Sequence, residues 1–517
     1  LEEGIDYLFL PGVINTEQPN PNYRNSQTCP YVQSAPEVIA AALDLSNRGV
    51  RLLSPRLFFK RGERHVRRVC RELAMALGRA PDEADRALDV AIAAQRRFRE
   101  QVEARAREVY DGLGEDDLAF VVIGRPYTLY DRAVNMDIGK KTQDLGILAI
   151  PMDFIPLEEE DISDTWPAHF SRQIQKRLAA GRLIRRDPRL RAVVITYFGC
   201  GPDTFGNPFL RDELGEPCYV MQIDEHTADA GVITRIEAFA DTVKAGKRGA
   251  APAEFTVRDA SLWRVRDKRI WIPYASEAAH VLAAAMRAYG IDARVLPRSE
   301  DPGLNLARGV ITEDVCIPAL FTTQDILERV QQPDFDPERE CFFQGNSQGP
   351  CRFGMYFMLQ RRILDDMGFA QVEMVTLGNR DDQGGLGTCF QMVVWDGLVA
   401  HDLLEKMLLR TRPYEVNEGE CDAIFLKHLR RVCDYMKPHR DLLETVRGKV
   451  IAAFGKHVEP LKQILREAQA EFGAVAKAGE RRPLVGLVGE FYGCTRRRTR
   501  TSSANWRRRA RRSGWRR

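Results

Sequence analysis

The sequence predicts an α/β protein with two doubly wound parallel-sheet domains, a helical arm before them and a helical region after them. Three observations carry this. Short β-branched runs such as Val193-Val194-Ile195-Thr196 alternate with longer amphipathic stretches, the pattern of strand–helix units that build a parallel sheet. The alternation occurs twice, from Ala119 and again from Arg269, with a polar stretch near 245–265 between. A chain of 517 residues also exceeds what one hydrophobic core organises, which puts the two series in separate domains.

Taken in order, residues 1–115 read as an irregular N-terminal segment plus a helical arm. FLPGVINTEQPNPNYRNSQTCPYVQSAPEVI is dense in Pro and Asn and turns helical from Glu37, with Cys29-Pro30 in the loop before it. Residues 61–112 are charged and helical, with apolar positions such as Val66, Leu73, Leu77 and Val90. Residues 116–250 form the first α/β domain. Strands are expected at AFVVIG, ILAIPMDFI, 193–198 and 219–223, with helices near 133–146, from about His169 to Ala180, and from Val232. Residues 251–400 form the second, with strands RIWIPYA, ARVLP, CFFQG and VEMVTL and helices near 277–290, 320–330 and from Met355. Residues 401–480 are a helical region, and 481–517 hold a last strand, VGLVGEF, and an Arg-rich tail.

Composition excludes several classes. With 44% hydrophobic and 29% charged residues, the chain buries enough surface to fold and is not a disordered polar polymer. No run approaches the roughly 18 apolar residues of a membrane helix. The start LEEGIDYLFLPGV lacks the basic region and apolar core of a signal peptide. The expectation is a cytoplasmic protein with no membrane partner. The chain begins at Leu1, so it reads as a piece of something longer.

The net charge of +3 belongs to the tail: 491–517 carry eleven arginines and no acid, and without them the rest stands at −8. A disordered nucleic-acid-binding tail is one reading. The preferred one is a frameshift after about Tyr492, because Arg/Ser/Trp text without acids is what a GC-rich frame yields one base out of register. No nucleic-acid partner is then expected, and resequencing the gene checks it.

No GxGxxG follows a strand, Gly139-Lys140-Lys141 lacks the upstream glycine of a phosphate loop, and HExxH and GxSxG are absent. What remains is eleven cysteines without a CxxC pair. In a large non-secreted chain these mean metal binding, redox work or core packing rather than a disulfide scaffold. Several stand beside Gly or Pro at loop–helix junctions: Cys29 before Pro30, Cys200 between Gly199 and Gly201, Cys316 in EDVCIPAL, Cys351 in QGPCRFG and Cys389 in LGTCF. A helix N-terminus favours the thiolate, and soft thiolates are the ligands of iron–sulfur clusters. Cys70 and Cys433, inside basic helices, and Cys218 and Cys341, opening strands, read as plain packing residues. The bland alternative is that Cys200 too is a buried thiol. Arg125 and Tyr127, with Asn135 and Asp137, follow the first strand, and Asp224, Glu225 and His226 follow another. These are binding candidates, or else caps and ion pairs.

YFGCGPDTF with IDEHTADAGVITRIEAF, VVIGRPYTLYDRAVNMDIGKK, GPCRFGMY and TCPYVQSAPEVI together resemble the acyl-CoA dehydratase activase-related proteins. These are the long CoA-substrate-specific activases related to the activator of 2-hydroxyglutaryl-CoA dehydratase. The resemblance runs from Phe9 to about Tyr492, with the motifs in family order. Members begin with actin-like ATPase domains and end in a region similar to dehydratase subunits. This chain resembles only the latter part, so it reads as a C-terminal portion with the ATPase domain missing. The resemblance implies a [4Fe–4S] cluster held between the α/β domains by ligands among Cys29, Cys200, Cys316 and Cys351. Three of the four suffice if one iron stays open. Arg125, Asp224, Glu225 and His226 would then serve the cofactor or substrate. The function implied is an iron–sulfur redox component of an ATP-driven activase system for 2-hydroxyacyl-CoA dehydratase-type enzymes. A dehydratase-like or double-cluster reductase acting on a small substrate is the first alternative. A non-catalytic docking module for the ATPase or a dehydratase subunit is the second.

Overall fold

The computed structural model describes residues 4–23, 25–166, 169–197, 199–246, 264–299, 303–311, 314–347, 349–376, 386–436, 456–480 and 482–483. The expected last strand at 485–491 and the Arg-rich tail lie outside them. The chain divides into two compact units, 1–257 with 347–355, and 258–346 with 356–517.

In the first unit the N-terminal segment is more regular than its Pro/Asn content implies. Strands β1 (Tyr7–Phe9) and β2 (Gly12–Asn15) precede helix α1 (Pro30–Leu43), and β3 (Arg51–Leu53) and β4 (Arg56–Phe58) follow it. β1 pairs with β3 and β2 with β4, both in parallel. The helix starts at Pro30 rather than Glu37. Pro30 takes its first turn, where a missing N–H costs nothing and the fixed φ suits a helix. Cys29 is the extended N-cap residue, at φ −60° and ψ 144°. Next come α2 (Glu63–Ala76) and α3 (Pro81–Asp111), a helical pair. Val69, Ala74 and Ala84 are buried, and Asp85 is gripped by Arg71 and Arg67.

The first main sheet contains β5 (Ala119–Ile123), β6 (Leu148–Pro151), β7 (Leu190–Tyr197) and β8 (Tyr219–Ile223), all parallel, in the order β6-β5-β7-β8. Every residue of β5 is buried, which is why the strand is an unbroken apolar run. The helices are α4 (Pro126–Tyr130), α5 (Ile138–Asp144), α6 (Arg172–Arg186), α7 (Gly201–Leu214) and α8 (Asp229–Lys244). The expected helix at His169 begins only at Arg172, because Ser171 is still extended and bridges to Gln27. Successive connections leave β5 and β7 in opposite directions along the sheet. The crevice between their carboxyl ends is the switch point where open α/β sheets bind ligands.

The second unit repeats this order. β9 (Arg269–Ile272), α9 (Ala278–Ala288), β10 (Ala293–Val295), α10 (Asn305–Val310), α11 (Ile317–Val330), β11 (Glu340–Phe343), α12 (Tyr356–Asp366) and β12 (Glu373–Val375) follow in sequence. The strands form a parallel sheet, β10-β9-β11-β12. Helices α13 (Gly387–Thr411), α14 (Glu420–Tyr435) and a last one, Glu459–Ala474, share a core that includes Leu404, Phe425, Val432, Ile464 and Ala468. The α/β class is therefore as the sequence predicts. No helix among the described residues is long and apolar enough to cross a membrane.

Candidate functional site

At the switch point of the first unit, Ile123 of β5 lies opposite Val194 of β7. Beyond them the chain runs Gly124-Arg125 on one side and Gly199-Cys200-Gly201 on the other. A Cβ on Gly124 would fall 2.5 Å from Thr128 Oγ1 and 3.3 Å from the Ile195 carbonyl, so only glycine lets the strand ends approach this closely. Gly199 has φ +60°, the left-handed region that glycine enters without strain. Cys200 is then the N-cap residue of α7, a helix of 14 residues. The first-turn N–H groups of such a helix carry partial positive charge.

Beneath Cys200 lies a buried charge cluster. Asp203 is fully buried and pairs with Arg125 Nη2 at 2.7 Å and Arg177 Nη1 at 2.5 Å, and it accepts from Thr196 Oγ1 at 3.1 Å. Burial raises its pKa, but Arg177 and Arg125 outweigh this and hold the carboxyl at about 2. Burial opposes the Arg125 charge, yet Asp203 and then Cys200 more than offset it, so its pKa is raised. Arg125 Nη2 also comes within 3.9 Å of Cys200 Sγ. For that thiol, burial and Asp203 push the pKa up while Arg125 and Arg177 pull it down, and the net shift is upward. Two guanidinium groups face one carboxylate, so the cluster carries a net positive charge. Arg125 Nε and Arg177 Nε have no hydrogen-bond partner.

Cys29 sits at the start of α1. Gln27 N–H donates to the Phe170 carbonyl at 2.8 Å and Thr28 N–H to the Ile14 carbonyl at 3.1 Å, which fixes the start of α1 beside the start of α6. Tyr127 follows Arg125 by two residues, in α4. Burial first, then Cys200, Asp203 and Cys29, raise the pKa of its hydroxyl, and Arg125 opposes them. Cys351 is exposed and precedes the turn Arg352–Met355, which packs on α7. The Arg352 guanidinium lies 2.9 Å from where a Cβ of Gly201 would be, and 5.9 Å over the Phe205 ring. Gly354 closes the turn: a Cβ there would fall 2.1 Å from the Ser347 carbonyl oxygen. That atom is backbone and cannot swing aside. Gly354→Ala is therefore expected to dislodge Ser347–Met355 and expose Cys351 further, read as faster alkylation of that thiol under native conditions.

The structure thus brings Arg125 and Cys200 into contact, sets Tyr127 within electrostatic range of Cys200 and Cys29, and lays the residue after Cys351 over the start of α7. Cys316 belongs to the second unit, where it is the N-cap residue of α11 and its thiol hydrogen-bonds the Tyr356 hydroxyl at 2.5 Å. Asp224 is used within its own turn, accepting from the Thr227 hydroxyl and the His226 N–H, each at 2.9 Å. Glu225 and His226 form an exposed pair at 3.9 Å. Asn135 is buried and donates to the Leu129 carbonyl, and Asp137 pairs with Arg132. Cys341 is buried in β11, and burial pushes its thiol up to about 12. Cys389 lies in the first turn of α13.

Sequence reasoning missed Asp203 and Arg177. Asp203 looks like an ordinary first-turn acid of α7. Arg177 hides in an Arg-rich helix, although Ile174, Leu178 and Gly181 on the same face are all buried, and a cation on that face was the available signal. Among the described residues the one His/Cys/Asp/Glu group with ligand atoms within 4.8 Å of one another is His401, Asp402 and Glu405. The thiols therefore do not form a ready single-ion site. Thiols and buried guanidinium groups are the residue types that an anionic, thiolate-ligated group would need.

No curated protein and no solved structure matches the chain. Residues 1–155 match the family described as CoA enzyme activase uncharacterised domain (DUF2229). That stretch includes Cys29, Arg125 and Tyr127 and ends before Cys200. Over residues 1–155, therefore, the chain is similar to that CoA enzyme activase-related domain.

Proposed function

We propose that the chain is the iron–sulfur redox component of an ATP-driven activase system for 2-hydroxyacyl-CoA dehydratase-type enzymes. It takes low-potential electrons from an ATPase and passes them to a dehydratase partner. The observation that supports this is the contact of Cys200 with Arg125 at a sheet switch point. Cys29, Cys200 and Cys351 in the first unit are the thiols that would hold a [4Fe–4S] cluster, three of the four candidates. When bound, such a cluster supplies a one-electron couple of low potential. The chain's own part is to present the thiols and to balance anionic charge with Arg125 and Arg177. Packing on both sides of β5 and β7 keeps the switch-point crevice fixed.

Anaerobic purification followed by iron and sulfide determination tests this. About four irons per chain are expected for one cluster, with loss of iron in each of Cys29→Ser, Cys200→Ser and Cys351→Ser. Absence of iron after reconstitution with iron and sulfide, or iron content indifferent to all three substitutions, ends the reading.

A further inference from the structure

We propose that the exposed face of α3 is a self-association surface, through which two copies of this chain pair as antiparallel helices about a two-fold axis at Ala94. The inference is independent of the redox reading, because it uses none of the residues around Cys200.

α3 runs for 31 residues, and Ala84 is its one buried residue. Leu88, Val102, Ala106 and Val109 are half-buried on the same side as Ala84, and α3 packs on α2 and on the turn Met152–Phe154. One apolar stripe is enough to dock a helix on its own unit. The opposite side carries a second. Ala87, Val90, Ala94, Gln101 and Ala104 recur at spacings of three, four and seven, the period of a helix–helix seam, and Phe98 stands one turn after Ala94. All six are exposed, Val90 at 68% and Phe98 at 59%. Alanines along the seam let a second helix come close, so both large side chains can reach it. Charge decides what that second helix is. Exposed Glu83 precedes the stripe and exposed Arg105 lies near its end. Reversing one copy about Ala94 sets its Val90 against Phe98 of the other copy and its Glu83 against Arg105 of the other copy, and the two-fold axis makes each contact twice. Arg79, just before the helix, comes beside Glu108 in the same way. Arg86 and Arg97 fall opposite Val102 and Ala91 rather than opposite one another. A parallel pair would instead align Glu83 with Glu83 and Arg105 with Arg105, which repel. Within one copy these charges meet only near neighbours in sequence, Arg79 with Glu83 at 3.7 Å and Arg105 with Glu108 at 2.7 Å. Exposed pairs of this kind are worth little and exchange partners readily. The face is thus complementary to itself, as an isologous dimer requires.

Sedimentation velocity of the full chain across a dilution series tests the proposal. A monomer–dimer equilibrium is expected. Phe98→Asp, at an exposed position away from the packed side of α3, should weaken it roughly tenfold or more, because it sets a carboxylate into an apolar contact twice. Glu83→Arg should weaken it as well by facing Arg105 with a like charge, and adding Arg105→Glu should restore it. A merely structural role for either residue would not give that rescue. Ala94→Cys should join the copies by a disulfide under mild oxidation, beyond the parent's background. Ala87→Cys should not, since antiparallel helices hold those two sites about 20 Å apart. The proposal is overturned if the parent is monomeric at every concentration, if Phe98→Asp associates like the parent, or if the double charge reversal stays as weak as Glu83→Arg. Crosslinking of Ala87→Cys as readily as Ala94→Cys would make the pair parallel and overturn the antiparallel register.

Discussion

Replacing Asp203 by Ala is expected to lower the stability of the first unit by about 3–5 kcal/mol, the range for removing one partner of a buried ion pair. The size follows from what stays behind. Arg125 and Arg177 are 8% and 1% exposed, and both direct an Nη at the same Asp203 oxygen. Without the carboxylate, two guanidinium charges share a buried space with Thr196 and no counter-ion. Arginine cannot shed its proton to relieve this. The cost therefore appears as unfolding or as water entering between α6 and α7. Adding Arg177→Met to Asp203→Ala should recover part of the loss, since one of the two stranded charges goes with it. Urea unfolding of the three proteins measures this. A loss under about 1 kcal/mol for the single variant would mean that the cluster is solvated, and the surplus-charge argument for the crevice would go with it.

The same cluster marks where sequence reasoning reached its limit. Strands such as β5, β7 and β11 were legible because residues buried on both faces of a parallel sheet form unbroken apolar runs. Their neighbours in the sheet were not, since a strand's own residues do not state which edge the next strand joins. Yet the order β6-β5-β7-β8 decides that the loops after β5 and β7 meet, and so that Arg125 faces Cys200. Cys200 stood out in the text because Gly199 and Gly201 flank it, and each glycine has its own reason, a positive φ at one and the approach of Arg352 at the other. The short strands β1 to β4 were lost because three or four residues cannot display a period of two. Arg177 was lost because Arg172, Lys176, Arg182, Arg185 and Arg186 surround it in sequence, and composition does not say which cation points inward.

His169 should make the first unit acid-labile well above the range in which its carboxylates titrate. Its ring is 2% exposed, packed 5.9 Å from Trp166 and 5.6 Å from Phe209 between ring centroids, and neither nitrogen has a partner. Burial with nothing to accept from a charged ring lowers its pKa from 6.5 to about 3. The sign follows. The unfolded chain takes up a proton at this site once pH falls below about 6.5, while the folded chain does so only near 3. Folded-state stability is complete above 6.5 and falls by about 1.4 kcal/mol for each pH unit below it, levelling off near 3. Asp203 adds a separate loss, from its ordinary value of 3.8 down through about 2. Between pH 6 and 4 the difference between parent and His169→Phe therefore isolates the histidine. Phenylalanine fits the same aromatic surroundings and removes no hydrogen bond made by the ring. Urea midpoints of the two proteins should converge toward neutral pH and separate steadily as pH falls, with the variant the more resistant. Parallel curves would mean that His169 finds a proton acceptor or water on folding, and that the pocket between Trp166 and Phe209 is wetter than its packing implies.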